Sequence, residues 1–425
     1  MKKLIVSAIA FSTIIAQVAM AADVEFNGSV RLRYEQAASG ALGTGEDEGR
    51  SWTTQQTRFS VKAQVKPEAQ VFIQLQDART WGGEDQSFPP PSATNTGTDA
   101  SANAFDMHQG YFLLTGFGVE GLSLKAGRQE IIFDDSRLIG NIGWIQNAQA
   151  FDGMRFSHKG ESISWDLISS QVLANDTHPV MNPYLASYDE DAYFYAAHAS
   201  FKVGNGVVNP FVYQVDKPTR LKPGVDENGD PNTVRFTSLQ TSGLFIKQKI
   251  GPVGLMIHAA NQTGDVTETK KHAASMVTVK LSSKLGPIGV ALGNDQYSGD
   301  KEEGGDESNT FNALYATNHK FFGFMDKFLF TPTTGLVDTY LQVGGAAGEK
   351  GKWAIHYHKF ATGPSSYLPS EDAGAETDIT YKRPFAGANW QLGYSSYTAS
   401  DVNYGTTGNT ALASTWAYMQ ATVAF

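Results

Sequence analysis

From Val24 to Phe425 the chain repeats short segments in which apolar and polar residues alternate, and the connectors between them are by turns short and long. Side chains on a strand point to opposite faces in turn, so each segment has one apolar and one polar face. In Val24 to Gln36 one parity holds Val24, Phe26, Val30, Leu32 and Tyr34, and the other holds Glu25, Asn27, Ser29, Arg31, Arg33 and Glu35. Counted along the chain there are about eighteen such segments of roughly ten residues, the length a tilted strand needs to cross an apolar band of about 25 Å. The expected fold is therefore all-β: a single transmembrane antiparallel β-barrel of about eighteen strands.

No composition break or Pro/Ser-rich linker divides the chain, which predicts one domain over residues 22–425. Apolar residues make up 41% of it, yet after the N-terminus no run reaches the roughly 20 apolar residues of a membrane helix. The apolar run Leu4 to Ala19 follows Lys2 and Lys3 and precedes Ala19-Met20-Ala21. That is the pattern of a secretory signal peptide, residues 1–21, cleaved after Ala21 or Ala22. The chain has no cysteine, so haem thiolate, iron–sulfur and zinc-thiolate chemistry have no ligands, and no cofactor is expected. Formal charge is −10, and loss of Lys2 and Lys3 with the leader makes it −12. A chain this acidic is no nucleic-acid binder.

Short connectors fall near Pro67, Gly116, Gly160, Gly204, Gly251, Gly286, Gly348 and Pro384, with longer ones between them, including Trp81 to Asn103 and Gly299 to Gly335. Short periplasmic turns alternating with long external loops is the outer-membrane arrangement. Threading the chain this way puts acids in the loops: Glu46, Asp47, Glu48, Glu84, Asp85, Asp134, Asp135, Asp189, Glu190, Asp191, Asp226, Glu227, Asp230, Asp300, Glu302, Glu303, Asp306 and Glu307. The turns are basic, with Lys66, Lys159, Lys202, Lys247, Lys249, Lys284, Lys350, Lys352, Lys382 and Arg383. Acidic loops suit divalent cations shared with lipopolysaccharide, and a basic inner mouth suits anions.

A charge on the lipid face costs roughly 2–4 kcal/mol at the bilayer midplane, so the polar parity must face the lumen. That parity offers Arg31, Arg33, Arg58, Lys62, Lys125 and Arg155. Guanidinium forks suit carboxylate or phosphate and would make an anion-selective lining. The alternative is a wall braced by ion pairs with Glu25, Glu35, Asp166, Asp338, Glu376 and Asp378. His198, His258, His356 and His358 share the lumen parity. His356 and His358 could share a metal, but two histidines without a third ligand make a poor site, and no metal is expected. Asp226 to Asp230 hints at a calcium loop without its full ligand spacing. No Gly-x-Ser-x-Gly elbow or His-Glu-x-x-His nominates a catalytic group, so an enzyme is not expected.

One stretch carries more than pattern: Leu124-Lys125-Ala126-Gly127-Arg128-Gln129-Glu130, Asp134-Asp135-Ser136-Arg137-Leu138-Ile139-Gly140, Trp144, and Phe151-Asp152-Gly153-Met154-Arg155. This resembles the alginate export family of outer-membrane channels, with further matches at Arg31 to Glu35, Tyr315 to Asp326 and Gly374 to Asp378. The resemblance implies a monomeric eighteen-stranded barrel in outer-membrane lipid, with an arginine-lined constriction passing an anionic polyuronate. By position in the motif it implies that Arg128, Arg137 and Arg155 are constriction groups, although Arg128 breaks parity and so belongs to a bulge or the rim. The loop of Asp135, Arg137 and Trp144 is the first candidate to fold inward, and Gly299 to Gly335 the second. The leading expectation is a passive channel for anionic solutes, of which export of an acidic polysaccharide such as alginate is the narrow form. The alternatives are a barrel acting as a scaffold for a partner and a cation-preferring uptake pore.

Overall fold

In the computed structural model the described residues are 23–38, 49–81, 104–173, 192–216, 238–266, 270–300, 306–363, 372–400 and 414–425. The expected leader and most of the acidic loop residues (Glu46–Glu48, Glu84, Asp85, Asp189–Asp191, Asp226, Glu227, Asp230, Glu302 and Glu303) lie outside them, as does the calcium-like segment.

The first nine strands are β1 (Asp23–Ala37), β2 (Arg50–Lys66), β3 (Ala69–Thr80), β4 (Ala104–Thr115), β5 (Leu122–Gln129), β6 (Phe151–Lys159), β7 (Ile163–Leu173), β8 (Ala192–Val203) and β9 (Gly206–Asp216). They continue as β10 (Ser238–Ile250), β11 (Val253–Asp265), β12 (Lys271–Leu285), β13 (Ile288–Tyr297) and a two-residue β14 (Glu307–Ser308). The last five are β15 (Leu336–Ala347), β16 (Gly351–Ala361), β17 (Asp372–Phe385), β18 (Ala388–Thr398) and β19 (Ser414–Ala424). Each long strand pairs antiparallel with its neighbours, and β13 pairs directly with β15. β14 runs parallel to the start of β12 and stays out of the wall, which leaves eighteen wall strands.

The wall closes where β1 pairs with β19 from Ser29↔Ala424 to Ala37↔Trp416. Gly28 and Phe425 exchange two backbone hydrogen bonds of 2.9 Å at the end of that seam. A Cβ on Gly28 would stand 2.2 Å from the Phe425 ring, so the glycine leaves room for the ring to lie over the backbone. A closed ring satisfies every strand edge, as a bilayer with no water to bond those groups demands.

The apolar parity faces outward. Phe26, Met107, Leu167, Leu281, Leu292, Leu341, Met419 and Val423 are all exposed, Leu292 by 56%. Apolar exposure of this extent around a whole molecule is lipid contact. Inner turns are short; those between β10 and β11 and between β12 and β13 each use a glycine with positive φ, Gly251 at 58° and Gly286 at 62°. The outer connectors are long with one exception, residues 266–270 between β11 and β12. There β14 lies beside Lys271 and His272 and covers the rim that a longer connector would cover.

Candidate functional site

Two segments leave the outer end of the wall and turn back into the lumen: residues 130–150 between β5 and β6, and residues 309–335 between β14 and β15. Asp134 and Asp135 therefore lie inside the barrel, not in an external loop as their position between strands suggested. The two segments meet at a bridge between Ile139 and Tyr315. The Gly140 N–H donates to the Tyr315 carbonyl, the Tyr315 N–H to Leu138 and the Thr317 N–H to Ser136, each at 2.9 Å.

One end of this bar is tied to β1–β3. The Arg31 guanidinium donates to the Gly143 carbonyl at 2.8 Å, the Ile145 carbonyl at 2.7 Å and Gln146 Oε1 at 2.8 Å. Arg33 donates to Glu35 and to the Trp144 carbonyl, both at 2.7 Å, and its guanidinium sits 4.1 Å above the Trp144 ring. Gln56 and Gln76 donate to the carbonyls of Gln146 and Asn147. The other end is tied to β8–β13: Asp134 meets His198 and Asn209, Asp135 meets His258 at 3.2 Å, and Arg137 Nη1 meets Asp295 at 2.6 Å. A segment that touches both β1 and β11 in an eighteen-strand ring crosses the lumen. The second segment reaches the remaining wall, with the Met325 N–H on Glu376 at 2.8 Å and Phe328 packed on Phe360. Its His319 stacks on Trp144 at 4.2 Å, which locks the segments together.

Packing fixes the bar further. Ile131, Phe133, Leu138, Ile139, Phe311 and Phe322 are buried against Phe194, Tyr213 and Tyr297 of the wall. Each such side chain contributes about 1.5–3 kcal/mol by leaving water. The core of this barrel is thus a central layer of loop against wall, with wetter space above and below.

The residues expected to line the pore divide into groups. Arg31 and Arg33 hold the first segment. Arg58 donates to Gln76 and lies 3.6 Å from Glu130. Lys62 pairs with Glu25 near the inner mouth, and Arg155 with Asp166 at 2.7 Å. Arg137 is 1% exposed, clamped between Asp135 and Asp295 and lying 3.9 Å from the Phe321 ring, so it is a strut and offers no free face to a solute. Arg128 shares the outward parity with Met154 across the ladder and pairs with Asp152 at 2.7 Å on the outside of the wall. It does not line the lumen, because the parity break anticipated for it does not occur. Glu376 and Asp378 are fully buried, and among the described residues neither has a lysine or arginine within ion-pair distance. Their place in an ion-paired wall is not realised.

The cations left facing an accessible lumen are lysines. Lys125 lies 4.4 Å from the Tyr111 ring, Lys280 donates to Gln342 at 2.6 Å, and Lys320 donates to the Asp135 carbonyl at 2.8 Å. All three partners are neutral. Lys125 stands opposite Arg155 in the ladder; Lys280 feels the charge of Lys320, and Lys320 that of Lys247, while the nearby carboxylates Asp135 and Asp295 are themselves engaged by Arg137. These groups lie on the inner side of the bar. Lys280 and Lys320 were not singled out from sequence, although Lys280 sits on the polar parity of its strand.

Two carboxylates of the first segment, Asp135 and Glu130, are held below their ordinary values. Burial pushes Asp135 up, but the Arg137 charge, His258 and the Arg137 N–H together hold it below its ordinary value of 3.8. Glu130 is likewise raised by burial and lowered more by hydrogen bonds from His108 and Asn141 and by the Arg58 charge. Burial pushes the Lys327 ammonium down to about 8 against the pull of Glu376.

The family model for alginate export matches residues 23–331. Among solved structures, the fold is similar to OccK2 (OpdF) of Pseudomonas aeruginosa, with a TM-score of 0.59 and 10% identity over 95% of this chain and 98% of that one. A second OccK2 structure, in complex with glucuronate, has a TM-score of 0.56 and 11% identity over the same shares. A BenF-like porin from Pseudomonas fluorescens Pf-5 has a TM-score of 0.60 and 11% identity over 95% of this chain and 98% of that chain. No curated protein matches the sequence.

Proposed function

Because the chain belongs to the alginate export family and is an outer-membrane channel, we propose that it conducts small carboxylate anions of the uronate type passively, with no catalytic step. The observation that carries this reading is the set of lumen lysines, Lys125, Lys280 and Lys320, whose partners are all neutral. A cation paired with a carboxylate presents little net charge to a passing ion. A cation on a ring, an amide or a carbonyl keeps its field, and in a narrow lumen that field concentrates anions. The occurrence of glucuronate in the similarly folded OccK2 supports the same solute class. Uronate monomers or short oligomers suit this lumen better than a wide polymer path, because the two inward segments pack into its middle layer.

The arginines act here through the loop. Arg31 and Arg33 hold the first segment, so their charge shapes the constriction. An apolar band running round the outer wall supports a monomer in lipid.

Reversal potentials across a planar bilayer under a salt gradient test the proposal. Wild-type protein is expected to prefer anions, and Lys125→Gln, Lys280→Gln and Lys320→Gln combined are expected to remove most of that preference while the barrel stays folded. Cation preference in the wild type, or an anion preference untouched by the triple replacement, overturns the lysine argument.

A further inference from the structure

His356 and His358 lie on β16, and the fold supplies the third ligand that sequence spacing lacked. In the ladder His356 stands directly opposite Asp378 of β17, and His358 is the next lumen-facing residue on its strand. One ligand atom from each of the three lies within 4.8 Å of the other two.

The local hydrogen bonding is that of a metal site. His358 Nδ1 is 2.7 Å from Asp338 Oδ2 on β15, so Nδ1 carries the proton and Nε2 presents a lone pair. That Nε2 has no hydrogen-bond partner, nor does Asp378 Oδ2, and the two atoms are 3.9 Å apart. The gap is too long for a hydrogen bond. His358 is 1% exposed and Asp378 fully buried, so neither atom has water to compensate it. A tetrahedral ion with bonds of about 2.0–2.1 Å sets its ligands about 3.3 Å apart, within reach of small side-chain rotations.

Charge points the same way. Asp338, Glu376 and Asp378 are all 0% exposed, and among the described residues no lysine or arginine nitrogen lies within ion-pair distance of any of them. One oxygen of each carboxylate also lacks a hydrogen-bond partner. Three buried carboxylates beside one another are costly unless protons or a cation neutralise them, and a bound divalent ion is one way to do so. Two imidazoles and a carboxylate, with no thiolate, suit a divalent transition ion and leave a fourth position open. The half-buried His356 gives access from the lumen.

We propose that His356, His358 and Asp378 form a binding site for one divalent transition ion of the zinc class on the inner wall, with Asp338 positioning His358. Phe324 packs on His356 at 5.3 Å and the Met325 N–H bonds Glu376, so the ion would sit against the second inward segment. The inference is independent of which solute the channel passes.

Untagged full-length protein in detergent, stripped with a chelator, is titrated with Co²⁺ and then with Zn²⁺. The expected result is one equivalent of Co²⁺ with the strong visible absorption of four-coordinate, nitrogen-ligated cobalt, displaced by Zn²⁺. His356→Ala and Asp378→Asn should each abolish the band, and Asp338→Asn should weaken affinity about 10–100-fold. His158→Ala, on a histidine remote from the site, should leave it unchanged. Wild-type protein that binds no stoichiometric Co²⁺, or only with the faint spectrum of oxygen-ligated ion, overturns the proposal whatever the variants do. Retention of the band in a folded His356→Ala/His358→Ala double variant overturns it as well.

Discussion

Replacing Arg137 with methionine isolates what the buried strut does. The side chain keeps its approximate length but loses its charge, leaving Asp295, 1% exposed, without its 2.6 Å partner and Asp135 without its 3.3 Å partner. Removing one member of a buried pair costs about 3–5 kcal/mol, because the remaining charge is uncompensated. Loss of the Phe321 contact adds about 0.5–2 kcal/mol. At about 1.4 kcal/mol per tenfold, the roughly 3–5 kcal/mol of the pair alone shifts the balance between a seated and an unseated first segment by roughly two to three and a half orders of magnitude. In single-channel recordings Arg137→Met is therefore expected to give larger, noisier openings than the wild type, whose segment stays docked. The double replacement Arg137→Met/Asp295→Leu removes both charges and should recover much of the quiet behaviour, since an apolar substitute for a buried pair is often neutral or better. Arg137→Met channels that match the wild type in conductance and noise would refute the assignment of Arg137 as a strut. So would a double variant noisier than the single one.

Asp135 faces Arg137 and His258, with the Lys320 ammonium on its backbone carbonyl, and its carboxyl is held below 3.8. A carboxylate whose folded value is depressed stabilises the fold above its unfolded value and loses that contribution only as pH falls through the folded value. The Asp135 tie should therefore persist from pH 7 to about pH 4, the unfolded carboxylate range, and an Asp135→Asn variant should differ from wild type in channel noise throughout that interval; convergence of the two near pH 6 would contradict it. At the seam, Gly28→Val places a side chain where the Phe425 ring lies, with a Cβ 2.2 Å from it. Its folded fraction, read as heat-modifiable gel mobility, should fall below that of the wild type, and Gly28→Val combined with Phe425→Ala should recover part of the loss.

Much of the wall was legible because lipid enforces the period of two. Phe26 and Tyr34 against Arg31 and Arg33 already state which side of β1 faces out. The same rule misleads where a segment leaves the wall. Asp134 and Asp135 read as external acids, since nothing in a strand pattern says that the connector turns inward to meet His198 and His258. Arg128 was placed in the pore by its motif, whereas its ladder partner Asp152 settles it on the outer face. The histidine pair seemed short of ligands because Asp378 is close only through the β16–β17 register, twenty-two residues further along. Contacts set by pairing between strands cannot be counted from spacing within one.

The seam joining Gly28 to Phe425 bears on the interior as well as on the wall. It is the pairing with the greatest separation along the chain, and without it the sheet would carry two raw edges that a bilayer cannot satisfy. The inward segments are held from the two sides of that seam: Arg31 of β1 grips one and Glu376 of β17 grips the other. A change that parts β1 from β19 therefore reaches the constriction too, because it frees the strand that carries one of its two anchors.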